Sequence, residues 1–152
     1  EIYELYKKNR KHFPHITMCH ITNRIEKREC IYTEGVVIIF RIHQKSVQMG
    51  NTSKSQKSDC HLNQIVSTFS NGSGSRVLNK FFDYIGSLPN TSGVIYLNVR
   101  SENERAKKFY VRNGMEWIDK TNWNKGKIEG DVYKKIVKNL HDLKEDPLTP
   151  ND

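Results

Sequence analysis

The chain has 152 residues, 36% hydrophobic and 28% charged, with a formal net charge of +8, a size and balance that suit one domain (1–152) with a real core and a basic surface. Its three cysteines, Cys19, Cys30 and Cys60, are odd in number and widely spaced, which excludes a disulfide framework and a zinc knuckle and fits a reducing cytoplasm. Its apolar runs are too short to cross a bilayer, and its charged start does not lead into a signal-peptide core.

Because the sequence opens on Glu1 rather than methionine, a trimmed or processed chain is expected, with an N-terminal strand missing. Ile2, Leu5 and Tyr6 predict a short amphipathic helix ending near Phe13-Pro14, and Met18, Ile21 and Ile25 a second one. The basic residues Lys7, Lys8, Arg10 and Lys11 read as a solvated helix face, and His15 and His20 as ordinary surface or packing histidines, since no third ligand stands at metal-site spacing. No metal site is expected.

Two apolar runs, residues 30–32 and 36–40, flank Thr33-Glu34-Gly35 and predict a hairpin. Residues 44–59 turn to Ser, Lys, Gln, Asn and Gly, and are expected to form a long mobile loop, either a flap facing a substrate or a tolerated insertion.

A buried strand is expected over residues 60–69. It leads through Ser70-Asn71-Gly72-Ser73-Gly74-Ser75-Arg76 into a helix whose Val77, Leu78, Phe81, Phe82 and Ile85 share one face and which Gly86 closes as a cap. Strand, glycine loop and helix together make an anion site: glycines let amides turn toward a phosphate, and the first helical turn adds donors and the positive end of the dipole. A plain connection uses the same residues.

Residues 94–99, β-branched and aromatic, predict a strand covered on both faces. A helix follows from Asn103 to the Asn113-Gly114 stop, then two strands, residues 115–118 and 131–137, around a polar loop over residues 122–130. The tail, residues 138–152, carries Leu140 and Leu143 before Pro147 and Pro150. There are no internal repeats.

Two motifs in this order resemble the GCN5-related N-acetyltransferases (GNAT). Phe69-Ser70-Asn71-Gly72-Ser73-Gly74 is similar to the family's Gln/Arg-x-x-Gly-x-Gly/Ala loop, with Phe69 where a polar side chain is usual. The run from Leu97-Asn98-Val99 through Asn103, Ala106 and Phe109-Tyr110 to Gly114-Met115 matches Leu-x-Val-x-x-x-Asn-x-x-Ala-x-x-Phe-Tyr-x-x-x-Gly-Phe/Met at every anchor.

The resemblance implies an α/β (α+β) fold: a mixed, mostly antiparallel, splayed sheet flanked by helices, with acetyl-CoA in the gap where two strands diverge. It places the pyrophosphate on the amides of Asn71, Gly72, Ser73, Gly74, Ser75 and Arg76, the pantetheine arm along Ile65 and Val66, and Asn103 and Phe109 beside the cofactor. Tyr110 falls at the general-acid position, and His61 is a candidate base on the strand before the glycine loop. Arg76 and Arg112 are candidate phosphate partners or solvated surface. The acceptor implied is an amine on a small molecule or a protein, and a homodimer fits the family. A weakly active acyl-CoA sensor and a nucleic-acid-associated enzyme are the competing functions.

Overall fold

The computed structural model describes residues 29–67 and 72–138. The two N-terminal helices, Phe69, Ser70, Asn71 and the tail beyond Lys138 therefore lie outside the described residues. Glu34 and Gly35 take φ values of 52° and 73°, the two left-handed residues that a tight right-twisted hairpin needs. They join β1 (Cys30–Thr33) to β2 (Val36–Ile42) in antiparallel register from Thr33↔Val36 to Cys30↔Ile39. β2 buries Val36 through Phe40, on both faces, as its unbroken apolar run requires.

The remaining elements are β3 (Cys60–Ser67), α1 (Ser73–Ser87), β4 (Val94–Arg100), α2 (Glu104–Arg112), β5 (Glu116–Trp123) and β6 (Ile128–Ile136). The six strands follow the order β1-β2-β3-β4-β6-β5. β4–β6 and β6–β5 are antiparallel like β1–β2, and β3–β4 is parallel, so the sheet is mixed and mostly antiparallel. The parallel pairing of β3 with β4 includes Cys60↔Ile95 and His61↔Tyr96.

Contacts group the described residues into two compact units, 29–41 with 62–81 and 42–61 with 82–138. In the first unit Phe40 of β2 and Phe81 of α1 meet with ring centroids 5.1 Å apart. The expected stripe of α1 is buried at Val77, Leu78, Phe81, Phe82 and Ile85.

In the second unit three expectations change. Gly86 does not cap α1; it lies inside the helix, where a Cβ would stand 3.0 Å from the Val137 carbonyl oxygen. Its lack of a side chain serves close approach rather than a turn. The polar loop over residues 122–130 is mostly strand: β5 and β6 pair down to Trp123↔Ile128, and the turn is carried by Asn124, Lys125 and Gly126 at φ 56°, 56° and 84°. The Trp123 ring occupies the space a side chain at Gly130 would fill, so the hairpin closes on an aromatic lid that polar spacing hides.

Residues 44–59 fold back on themselves. Gln48 bridges Lys54, the Asn51 amide donates to the Lys120 carbonyl (2.8 Å), and Met49 is buried with Tyr96 and Val132. Asp119 of β5 holds the loop tip: its Oδ2 accepts from the Thr52 amide (2.9 Å) and the Ser53 hydroxyl (2.7 Å). Gly50 makes room for that carboxylate, since a Cβ there would fall 2.5 Å from Oδ2.

Candidate active site

The glycine corner is built from the first unit. Gly72 takes φ +87°, and α1 begins at the next residue, earlier than the apolar stripe alone indicates. The first helical bond is the Arg76 amide to the Gly72 carbonyl (3.2 Å). Ser73, Gly74 and Ser75 thus form the first turn, at the positive end of a 15-residue helix. Arg76 spends its amide on that bond, so what it can offer an anion is its guanidinium. Nε of that group lies 3.1 Å from Glu34 in the hairpin turn, and Lys80 Nζ lies 2.6 Å from the same carboxylate. On β3, Ile65 is half-buried and Val66 buried.

The second unit supplies α2. Asn103 Oδ1 accepts from the Ala106 amide at 3.1 Å, a helix N-cap, and Gly114 at φ +89° ends the helix with Met115 buried behind it. Asn103, Ala106, Gly114 and Met115 of the longer motif therefore have structural jobs of their own. Tyr110 stands apart. It is half-buried, its ring meets Phe109 edge-on at 5.4 Å, and burial pushes its pKa up to about 12. The phenol is a hydrogen donor throughout the physiological range. Arg112 lies over the Phe109 ring at 5.8 Å.

His61 is half-buried, and its ring meets that of His43 at 5.8 Å in an edge arrangement. His43 is buried, with Nδ1 2.7 Å from the Ser55 hydroxyl. The register His61↔Tyr96 puts His61 on the same sheet face as Tyr96, and therefore as Asn98 two residues on.

Two features escape sequence reasoning. Asp131 of β6 is buried, yet Lys120 Nζ (3.0 Å), Lys107 Nζ (3.5 Å) and Trp117 Nε1 (2.8 Å) surround it. Burial raises its pKa, but hydrogen bonds from Lys120 and Trp117 outweigh that and hold it at about 2. The other is Asn98, whose Oδ1 is buried without a hydrogen-bond partner among the described residues. An unmet buried carbonyl costs on the order of 1–3 kcal/mol. An amide inside the apolar run of β4 is the signal that could have drawn attention to it.

Among the described residues no three potential metal ligands cluster, and no helix is long and apolar enough to cross a membrane. No family model matches the sequence, and no curated protein does. Solved structures do. Naa50 of Arabidopsis thaliana, in complex with the bisubstrate analogue CoA-Ac-MVNAL, is similar over 88% of this chain and 91% of its own, with a TM-score of 0.62 at 22% identity. This is the GNAT acetyltransferase fold. Ard1 from Thermoplasma volcanium shares it at a TM-score of 0.60 and 14% identity over 82% of each chain. The ribosomal-protein-S18-alanine N-acetyltransferase of Escherichia coli shares it at 0.54 and 13%, over 82% of this chain and 81% of its own. The GNAT fold accounts for the mixed, mostly antiparallel sheet, and the motif from Leu97 to Met115 runs through β4 and α2 of this chain.

Proposed function

We propose that the chain is an acetyl-CoA-dependent N-acetyltransferase whose acceptor is the α-amino group of a polypeptide. The observation that carries this reading is Tyr110, a half-buried phenol on the helix of the longer motif whose pKa burial pushes up to about 12. The fold supports it, and similar solved structures include one bound to an analogue joining CoA to a peptide and one that acts on an alanine of a ribosomal protein.

In the proposed reaction a neutral amine attacks the thioester carbonyl carbon. A C–N bond forms, the C–S bond breaks, and the sulfur leaves with the electron pair. Tyr110 hydrogen-bonds the sulfur as it gains charge and gives it a proton, while the proton that the nitrogen sheds goes to His61 and is returned through solvent to the phenol, so amine and thioester become amide and thiol. A phenol with a pKa near 12 is too weak an acid to part with its proton for long, which suits a relay better than a reservoir.

The first turn of α1, residues 72–75 with Asn71 before it, is the proposed cradle for the cofactor pyrophosphate, helped by the Arg76 guanidinium. Ile65 and Val66 are proposed to line the pantetheine arm, with Asn103 and Phe109 beside the cofactor. His61, on the Tyr96 and Asn98 face, is the proposed receiver of the amine proton. A reducing, cytoplasmic setting is proposed from the odd number and wide spacing of the cysteines.

The test is acetyl transfer from acetyl-CoA to pentapeptides with free or N-acetylated ends. Tyr110→Phe removes one oxygen from α2 and should lower kcat about 100-fold with little change in the KM for acetyl-CoA. Unchanged turnover would reduce Tyr110 to a packing residue. Acetyl-CoA binding without turnover in the unsubstituted chain would favour a sensor.

A further inference from the structure

α2 carries the acid of the proposed reaction, yet none of its residues is buried. Its less exposed side is half-buried at Ala106, Lys107, Phe109 and Tyr110, and Lys107 is the charged member of that set. The Asn103 cap and the Met115 amide, which donates to the Tyr110 carbonyl at 3.0 Å, close the two ends of the helix on itself. A short helix without a buried apolar stripe needs another hold on the sheet. Asp131, in the same unit, offers one. Its two oxygens divide the work: Oδ1 accepts from Trp117 Nε1 at 2.8 Å and Lys120 Nζ at 3.0 Å, both on β5, while Oδ2 faces Lys107 Nζ of α2 at 3.5 Å. Oδ2 is buried and accepts no hydrogen bond among the described residues, so the Lys107 ammonium is the charge set against it. Glu104, one turn back on α2, steadies that ammonium at 3.1 Å.

We propose that Asp131 and Lys107 are positioning residues for acetyl transfer: their ion pair fixes the seat of α2 on β6, and through it the place of the Tyr110 hydroxyl. This rests on the acetyl-transfer reading above, with Tyr110 as the acid. Tyr110 follows Lys107 by three residues, so it stands on the next turn of the same side of the helix. Any shift of α2 against the sheet is carried to the phenol. Proton delivery is sensitive to such shifts, since a misplacement of about 1 Å can cost about 100-fold in rate. The anchor is itself held from β5 through its other oxygen. Losing Lys107 therefore loosens the helix and leaves the sheet as it is.

The test is made at Lys107, because Asp131 keeps Lys120 and Trp117 when that side chain is replaced. Lys107→Met keeps an unbranched stem and removes the charge. With acetyl-CoA and a free-amine pentapeptide it should lower kcat about tenfold and leave the KM for acetyl-CoA unchanged, and Lys107→Arg, which keeps the charge, should recover most of the loss. The combination with Tyr110→Phe separates positioning from a general structural role. Once the phenol is gone the pair has nothing to position, so adding Lys107→Met to Tyr110→Phe should lower kcat by less than about twofold more. A tenfold loss in both backgrounds, an unchanged kcat in Lys107→Met alone, or a Lys107→Met chain that does not fold each overturns the positioning role and leaves the acetyl-transfer reading standing. Absence of turnover in the unsubstituted chain, or full turnover in Tyr110→Phe, overturns that reading and this one with it.

Discussion

Glu34 and Asp131 are both carboxylates that hold two cations, one in each unit. Glu34 sits in the β1–β2 turn with Arg76 at 3.1 Å and Lys80 at 2.6 Å, and its side chain is 31% exposed while its partners are 56% and 61% exposed. Asp131 sits inside β6 with Lys120 at 3.0 Å and Lys107 at 3.5 Å, and is 3% exposed. Both pKa values are lowered, Glu34 first by the hydrogen bond from Lys80 and then by that from Arg76. Solvent makes the difference. Exposed ion pairs are screened and contribute little, whereas a buried carboxylate that loses its charge or its partners leaves the others stranded. The first cluster is therefore a local arrangement of charge at the start of α1, and the second is a piece of the fold.

The largest expected effect is at Asp131. Asn keeps the shape and removes the charge that Lys107, Lys120 and Trp117 converge on, so Asp131→Asn should lower unfolding stability in urea by about 2–4 kcal/mol. The acid limb sharpens the point. The folded pKa of about 2 lies below the ordinary value of 3.8, so the contribution of Asp131 is complete above about pH 4 and is lost as pH falls toward 2. That loss is worth about 2–3 kcal/mol in the native chain. The variant should show a shallower acid limb, though not a flat one, because Asp119 is also held at about 2, chiefly by the Ser53 hydroxyl and the Thr52 amide. An unchanged limb would contradict the contrast drawn between the two clusters.

The smaller effect is at Glu34. Glu34→Gln should leave the thermal midpoint where it is. By releasing Arg76 and Lys80 from their shared partner, it should tighten acetyl-CoA about two- to fivefold at low salt and less at high salt. A loss of stability as large as that at Asp131 would make the two clusters alike, and weaker acetyl-CoA binding would count against Arg76 as a phosphate partner.

Periodicity and turn chemistry made much of this fold legible. The stripe from Val77 to Ile85, the Glu34-Gly35 hairpin, the run from Val94 to Val99 and the Asn113-Gly114 stop are local patterns, and each element forms where its pattern lies. What escaped depends on partners distant in sequence. Asp119 reads as an ordinary surface acid until it meets Thr52 and Ser53, and residues 44–59 read as structureless because their anchors are backbone groups, small polar side chains and one buried methionine. Gly86 looks like a cap because only the neighbouring Val137 backbone reveals why a side chain is excluded. At the candidate site the motif marked Tyr110 and the glycine corner, since their spacing is local. Asp131 was silent because burial, and not residue type, makes it unusual, and Asn98 showed only as an amide within an apolar run.

The most direct test of the account is a calorimetric titration of the intact chain with acetyl-CoA, since the proposed roles of the α1 N-terminus and Tyr110 both require that molecule to bind. The account predicts one saturable site at micromolar concentration, about −8 kcal/mol, weakening as salt is added. No heat and no saturation up to millimolar acetyl-CoA would contradict it, leaving a GNAT fold without the cofactor on which the proposed chemistry depends.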